Sequence, residues 1–219
     1  MTMIWSVSVR KDKVMSEKKA VKTKSINFPN ILTLIRIALV PPIIILILIQ
    51  WKNQDVFNII TAVLFLIAAL TDLFDGAIAR GTNQVTDFGK FLDPIADKML
   101  LLGTLVAIAG SARFSYIELA VVVSAIIILL REFAVTSIRM VASNHDGTVI
   151  AANFLGKLKT AVSVAAVVVV LVEDVIFQGG GLAGIHLLSY IMLFAAVLLT
   201  VLSGVVYIKK YFSYIDPRR

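Results

Sequence analysis

Residues 71–98 read TDLFDGAIARGTNQVTDFGKFLDPIADK and place four aspartates in two pairs. Asp72 and Asp75 are three residues apart, whereas Asp93 and Asp97 are four residues apart. On a helix, either spacing brings two side chains to one face, about one turn apart. A short polar segment separates the pairs, so we expect two helices that fold back on each other and bring the aspartates together.

Four carboxylates that converge in an apolar setting repel one another unless cations neutralise them. The chain has no cysteine, and ligands that are all oxygen favour hard divalent cations such as Mg²⁺ or Mn²⁺. Two such ions are a common arrangement for polarising a phosphoryl group. We therefore expect a site for two ions at Asp72, Asp75, Asp93 and Asp97. The alternative is a solvated acidic turn that holds at most a structural ion.

Small side chains and one arginine follow the first aspartate pair. Gly76 and Ala79 leave the helix face free of bulk, so a ligand can approach the backbone. Arg80 carries a guanidinium group, whose fork of donors matches the oxygens of a phosphate. This part of the sequence predicts a phosphate-binding surface beside the metal site.

The pattern D-x2-D-G-x2-A-R-x8-G-x3-D-x3-D covers residues 72–97. At every fixed position it resembles the signature of the CDP-alcohol phosphotransferase family. The resemblance implies that Asp97 is the catalytic base as well as a metal ligand. It also implies contacts with a CDP-linked lipid. The residues implied for those contacts are Asn30, Thr33, Asp72, Gly76, Ala79, Arg80, Thr86 and Gly89.

The composition indicates a membrane protein. Of the 219 residues 59% are hydrophobic, the mean hydropathy is +0.93, and several apolar runs are long enough to cross a bilayer. Backbone groups in lipid must bond within their own segment, which favours helices. The expected fold class is all-α, a polytopic membrane protein with six transmembrane helices and a basic N-terminal cytosolic arm. The expected spans are residues 30–49, 56–79, 90–110, 117–141, 155–176 and 184–208.

The expected organisation is a basic arm over residues 1–26, one membrane domain over 27–212 and a short cytosolic tail over 213–219, with Met15 as an alternative start. Basic residues are concentrated in the arm, the tail and the loops on the same side. The positive-inside rule therefore places both termini and the aspartates in the cytosol. The expected location is the plasma membrane. The net charge of +7 is then explained by basic residues that set the membrane orientation and attract anionic lipid headgroups, and we expect no nucleic-acid partner.

Several charged residues lie within or beside the apolar runs, where a charge is costly unless it is paired or lines a cavity. Glu132 directly follows Arg131, so the two side chains should not share a helix face, and we expect Glu132 to pair elsewhere. An anion site in a polar cavity would explain the basic residues. The alternative is that these side chains extend to the membrane surface. The residues expected in the anion site are Arg36, Arg131, Arg139, Lys157 and Lys159.

Residues 131–160 resemble the branch of the family that makes phosphatidylglycerol phosphate, as do residues 27–36, 88–100 and 199–212. The resemblance implies transfer of a phosphatidyl group from CDP-diacylglycerol to the free primary hydroxyl of glycerol 3-phosphate, with release of CMP. The basic residues would hold the acceptor's phosphate. A homodimer is expected from the family alone. Two alternatives stay open: another acceptor such as inositol phosphate or serine, and a divalent-cation transporter that uses the aspartates as a permeation site.

Overall fold

The computed structural model describes residues 28–82, 87–146, 154–177 and 186–211. The described residues form six α-helices, which confirms the all-helical expectation. The predicted arm over 1–26, the tail over 213–219 and Thr86 lie outside the described residues. A 3₁₀ turn, Ala112–Phe114, precedes the fourth helix. The helices are α1 (Phe28–Leu48), α2 (Gln54–Thr82), α3 (Asp87–Gly110), α4 (Glu118–Asp146), α5 (Phe154–Ile176) and α6 (Leu187–Tyr211).

The helix boundaries follow the predicted spans closely, with α4 as the largest difference. The prediction ended this helix at residue 141, where the apolar run stops, but the helix continues to Asp146. An apolar run marks the part of a helix that contacts lipid, whereas the backbone hydrogen bonds continue into water. They continue here until the residue before Gly147, a residue type that commonly follows a helix end.

Five of the helices formed by the described residues are long and apolar enough to cross a membrane. The remaining helix, α3, carries Asp93, Asp97 and Lys98 within the length of one span. Every 18-residue stretch of α3 contains all three charges, whereas each of the other five helices has an apolar stretch of that length with at most two. The sequence and these helices together indicate a polytopic membrane protein.

The distribution of polarity supports the membrane assignment. On α1 the polar residues Asn30, Thr33 and Arg36 are buried, while Ile31 and Leu34 are exposed. Polar residues are likewise buried and apolar residues exposed along α6, where Ser189, Thr200 and Ser203 face inward and large apolar side chains face outward. An exposed apolar surface of this extent is stable only against lipid, and the buried polar groups then face the interior of the bundle.

The six helices pack as a ring. In spatial order α1 contacts α2, α2 contacts α5, α5 contacts α6, α6 contacts α4, α4 contacts α3, and α3 closes the ring against α1. In addition, α3 touches α2 and α5 across the ring. The interior therefore receives side chains from every helix. One end of the ring, where α2 ends and α3 and α5 begin, is called the site end below.

The other end, called the cap end, is held by Glu173 near the end of α5. Its carboxylate is 2% exposed and accepts hydrogen bonds from the backbone N–H groups of Leu188 and Ser189, at 3.0 and 2.9 Å, and from the Ser189 hydroxyl. These are first-turn N–H groups of α6, which have no partner within the helix. The negative charge also favours the positive end of the helix dipole. Glu173 is thus a tertiary cap that joins α5 to α6.

Asp174 extends the cap end toward the start of α4. Its Oδ1 lies 3.0 Å from Nδ1 of His186, and its Oδ2 lies 3.5 Å from the Tyr116 hydroxyl that donates to it. The His186 and Tyr116 rings stack with centroids 3.5 Å apart. Burial is the main cause that raises the pKa of Tyr116 above its usual range, and the negative charge of Asp174 is the second cause. The phenol therefore stays protonated and remains a hydrogen-bond donor. These contacts connect the end of α5 to the residues that immediately precede α4 and α6.

Candidate active site

A cavity of about 800 Å³ opens within the ring toward the site end, and all six helices contribute to its wall. Its apolar part is formed mainly by α2 and α5, with residues such as Phe65, Leu70 and Val168. Its polar part collects five of the residues expected from the sequence, Arg36, Asp97, Arg131, Lys157 and Lys159, together with Glu132, Ser203 and Tyr207. The cavity is therefore amphipathic, with charge at one part of the wall and hydrocarbon at the other.

Arg36 is held inside the bundle. Its side chain is only 1% exposed, and its Nε donates a hydrogen bond to the carbonyl of Ala68 at 3.2 Å. The Thr71 hydroxyl donates to the same carbonyl at 2.7 Å. Ala68 lies one turn before Asp72 on α2, so Arg36 joins α1 to the part of α2 that carries the first aspartate pair. The side chain turns inward and does not extend to the membrane surface.

Arg131 and Lys159 meet at one carboxylate oxygen. Oε1 of Glu132 accepts hydrogen bonds from Nη1 of Arg131 at 3.1 Å and from Nζ of Lys159. Nη2 of Arg131 donates to the Ser203 hydroxyl on α6 at 3.1 Å. Lys159 is 5% exposed, so it too turns inward. Nε of Arg131 is buried and has no hydrogen-bond partner among the residues that the structure describes.

The expectation that Glu132 pairs away from its neighbour was half correct. Glu132 does pair elsewhere, with Lys159 on α5, but it also contacts Arg131. Adjacent residues on a helix point about 100° apart, yet both side chains are long and flexible enough to meet over the cavity. Sequence spacing gives the direction in which each side chain leaves the helix, but it does not fix the position of the charged group at the end of a long side chain.

The structure describes the side chain of Lys157 but not that of Arg139. Lys157 is exposed and lines the cavity close to Thr160, whose hydroxyl donates to the carbonyl of Gly156 at 3.1 Å. The backbone at Arg139 belongs to α4, but its side chain lies outside the described residues. Membership of Arg139 in the anion site stays a prediction.

The four aspartates lie on the two helices where the sequence predicts them. Asp72 and Asp75 are on α2, and Asp93 and Asp97 are on α3. Asp97 is exposed and lines the cavity. The side chains of the other three aspartates lie outside the described residues, and no group of three or more metal-binding side chains occurs within the described part of the chain. Their convergence on metal stays a prediction.

The residues predicted to contact a CDP-linked lipid are only partly described. Asn30 and Thr33 are buried on α1, on the helix side that also carries Arg36, and Gly89 is buried at the start of α3. Neither Asn30 nor Thr33 is among the residues that line the cavity. The side chains of Ala79 and Arg80, with the surroundings of Gly76, lie outside the described residues, as Thr86 does.

Three polar residues of the site end were not predicted. Ser203 and Tyr207 reach the cavity from α6, and Nζ of Lys98 lies 3.4 Å from the Thr136 hydroxyl across the α3–α4 contact. A signal was present for Ser203, since polar residues within an apolar span usually face a cavity or another helix. Lys98 directly follows Asp97, and in the sequence it looks like a basic residue that only sets the membrane orientation. Which helix lies beside α4 is set by tertiary packing and has no local signal.

Comparison with known proteins agrees with these observations. The sequence profile of the CDP-alcohol phosphatidyltransferase family matches residues 26–202. A Bacillus subtilis protein named CDP-diacylglycerol–glycerol-3-phosphate 3-phosphatidyltransferase is 39% identical over 197 residues, which is 84% of this chain and 94% of that protein. A Rickettsia bellii protein of the same name is 35% identical over 189 residues, 85% of this chain and 97% of that one. A Mycobacterium tuberculosis protein named probable phosphatidylglycerophosphate synthase is 32% identical over 185 residues, 84% and 81% of the two chains.

Proposed function

Because the chain belongs to the CDP-alcohol phosphatidyltransferase family, we propose that it transfers the phosphatidyl group of CDP-diacylglycerol to glycerol 3-phosphate. The products are phosphatidylglycerol phosphate and CMP, which makes the protein an enzyme of phospholipid biosynthesis. The names of its relatives support this acceptor. The observation that carries the proposal is the cavity, which Asp97 lines together with the ion-paired Arg131–Glu132–Lys159 cluster.

The two ends of glycerol 3-phosphate match the two parts of the polar wall. Arg131, Lys157 and Lys159 bind the phosphate through charge-assisted hydrogen bonds. That contact orients the free hydroxyl toward Asp97 and the diphosphate of the lipid donor. Arg36 adds positive charge to the same wall. Arg139, beyond the described side chains, is included in the proposal as a further phosphate ligand.

In the reaction, the acceptor hydroxyl oxygen forms a bond to the phosphorus that carries the diacylglycerol. The bond from that phosphorus to the oxygen of the CMP phosphate breaks, and CMP leaves with the electron pair. Asp97 accepts the hydroxyl proton as general base. The diacylglycerol chains lie along the apolar wall or in the surrounding lipid, which an amphipathic cavity allows. Asn30, Thr33, Gly76, Ala79, Arg80, Thr86 and Gly89 are proposed to hold the CDP part.

The family is in general dependent on divalent metal. An all-oxygen donor set of Asp72, Asp75, Asp93 and Asp97 fits Mg²⁺ or Mn²⁺, and the exposed carboxylate of Asp97 at the cavity wall agrees with a ligand role. When bound, two such ions would offset the charge of the diphosphate and of the departing CMP. The described helices bring α2 and α3 into contact, as this donor set requires.

We further propose six membrane spans, with α3 as the sixth, and a plasma-membrane location with both termini and the site end in the cytosol. The basic residues of the arm and tail support this orientation. Because the chain has no cysteine, single cysteines introduced in residues 83–86 should be labelled only from the cytosol, and a cysteine at Gly180 only from outside. The reverse labelling would contradict the orientation. A homodimer is proposed from family membership.

The direct test is purified protein with CDP-diacylglycerol and a panel of acceptors, scored by CMP release. Glycerol 3-phosphate should be the best acceptor. Plain glycerol should be very poor, because it lacks the phosphate and loses several charge-assisted hydrogen bonds. Faster CMP release with inositol phosphate or serine would replace the acceptor while keeping the chemistry. No CMP release with any alcohol would contradict the proposed function.

A further inference from the structure

We infer that Glu132 is a positioning residue for the acceptor phosphate, an inference that rests on the proposed function. One oxygen of Glu132 contacts two cations that belong to different helices, Arg131 on α4 and Lys159 on α5. Both helices pack against α6. The carboxylate thus spans part of the cavity and fixes the separation of the two cations that receive the phosphate.

Arg131 is fixed from a third direction by α6. Its Nη2 donates to Ser203, and its aliphatic part lies where the next residue of α6 has no side chain. A Cβ on Gly204 would lie 3.1 Å from Cγ of Arg131, which is closer than ordinary van der Waals contact. Glu132 and Ser203 together occupy both terminal nitrogens of the guanidinium group. The side chain is therefore held in one orientation before any ligand arrives.

The charges of the cluster explain why an acid is needed in an anion site. Arg131 and Lys159 have side chains that are 14% and 6% exposed, and two such cations repel each other where they are largely shielded from solvent. Glu132 offsets one of the two charges and leaves one for the ligand. Without the carboxylate the cations would separate, and the incoming phosphate would have to order them at a cost to its own binding.

A purely structural role is the competing explanation, since any buried cation pair needs a counter-charge to fold. Glu173 provides the matched control. It is a glutamate that is more deeply buried than Glu132, and it caps α6 at the cap end, about 20 Å along α5 from Lys159. If burial of a glutamate were all that mattered, neutralising either residue would lower stability and leave substrate kinetics alone.

The test compares Glu132→Gln and Glu173→Gln in full-length protein purified in detergent. For each variant the apparent KM for glycerol 3-phosphate, the apparent KM for CDP-diacylglycerol, kcat and Tm are measured. Glu132→Gln should raise the acceptor KM by about tenfold, the loss expected when one charge-assisted contact is misaligned. The KM for CDP-diacylglycerol should stay near that of the wild type. Glu173→Gln should lower Tm with both KM values unchanged.

An unchanged or lowered acceptor KM in Glu132→Gln, with wild-type protein active on glycerol 3-phosphate, overturns the positioning role and leaves the proposed function standing. Wild-type protein that is inactive on glycerol 3-phosphate contradicts the proposed function itself. If Glu132→Gln does not fold, Glu132→Asp decides. It keeps the charge but is one methylene shorter, so it cannot reach both cations. It should raise the acceptor KM above that of the wild type and leave the KM for CDP-diacylglycerol unchanged, and a wild-type acceptor KM overturns the inference.

Discussion

Glu132 at the site end is half-buried and Glu173 at the cap end is buried, and the two carboxylates have different partners. Glu173 accepts from backbone N–H groups and a serine, all of which belong to the fold itself. Glu132 accepts from two side-chain cations in the wall of a cavity. A buried acid that completes a helix terminus has no capacity for a ligand. A half-buried acid that holds two cations at a cavity wall leaves donors that a ligand can use.

The comparison extends to pairs of like residues, which makes it testable. The site end contains Asp97 and Arg131, and the cap end contains Asp174 and Arg113. If function is confined to the site end, the same substitution should affect chemistry at one end and only stability at the other.

Metal removal should have the largest effect. Excess EDTA should abolish CMP release, and Mg²⁺ or Mn²⁺ should restore it, because the four aspartates are expected to bind divalent cations. The metal concentration needed for half activity should rise in Asp72→Asn and stay at the wild-type value in Asp174→Asn. Full activity in excess EDTA would contradict the metal site.

Asp97→Asn should have the second-largest effect on activity. Loss of a general base should lower kcat by about 10²–10⁴-fold, while CDP binding measured by titration calorimetry is retained in large part. Asp174→Asn is the control. Its kcat should stay within about threefold of the wild-type value, because Asp174 is not expected to contact substrate. Turnover by Asp97→Asn close to the wild-type rate would remove Asp97 from the mechanism.

Arg131→Ala should have a smaller effect that is specific to one substrate. The apparent KM for glycerol 3-phosphate should rise at least about tenfold, whereas the KM for CDP-diacylglycerol should change much less. Arg113→Ala removes a guanidinium group at the cap end, near Asp174, and should leave both KM values alone. Equal changes in both KM values for Arg131→Ala would indicate a general loss of structure.

Glu173→Gln should have the smallest effect on chemistry and a clear one on stability. Neutralising a carboxylate that accepts three hydrogen bonds at a helix N-terminus should cost about 1–3 kcal/mol in the free energy of unfolding. Thermal unfolding in detergent measures this cost, and CMP release by the surviving folded protein should be normal. A wild-type Tm would show that the cap contributes little.

Much of this arrangement was predictable from the sequence, for identifiable reasons. The helices followed from apolar runs, and the inward position of Arg131 and Lys159 agrees with the cost of placing a charge in lipid. Ser203 and Gly204 were missed as the environment of Arg131, because no local pattern tells which helix packs beside α4. The cap by Glu173 was missed for the same reason, since its partners are 15 and 16 residues away in sequence.

The position of α6 in the ring has a consequence for how the protein is made. The ribosome synthesises α6 after α4 and α5, yet α6 packs against both and supplies the serine that accepts a hydrogen bond from Arg131. Until α6 has entered the membrane, Arg131 lacks its contact with Ser203, whereas Glu132 can already accept from Arg131 and Lys159. The Glu132–Lys159 contact lets these two helices offset their charges as a pair during insertion, and the polar wall of the cavity is complete only when α6 has packed against them.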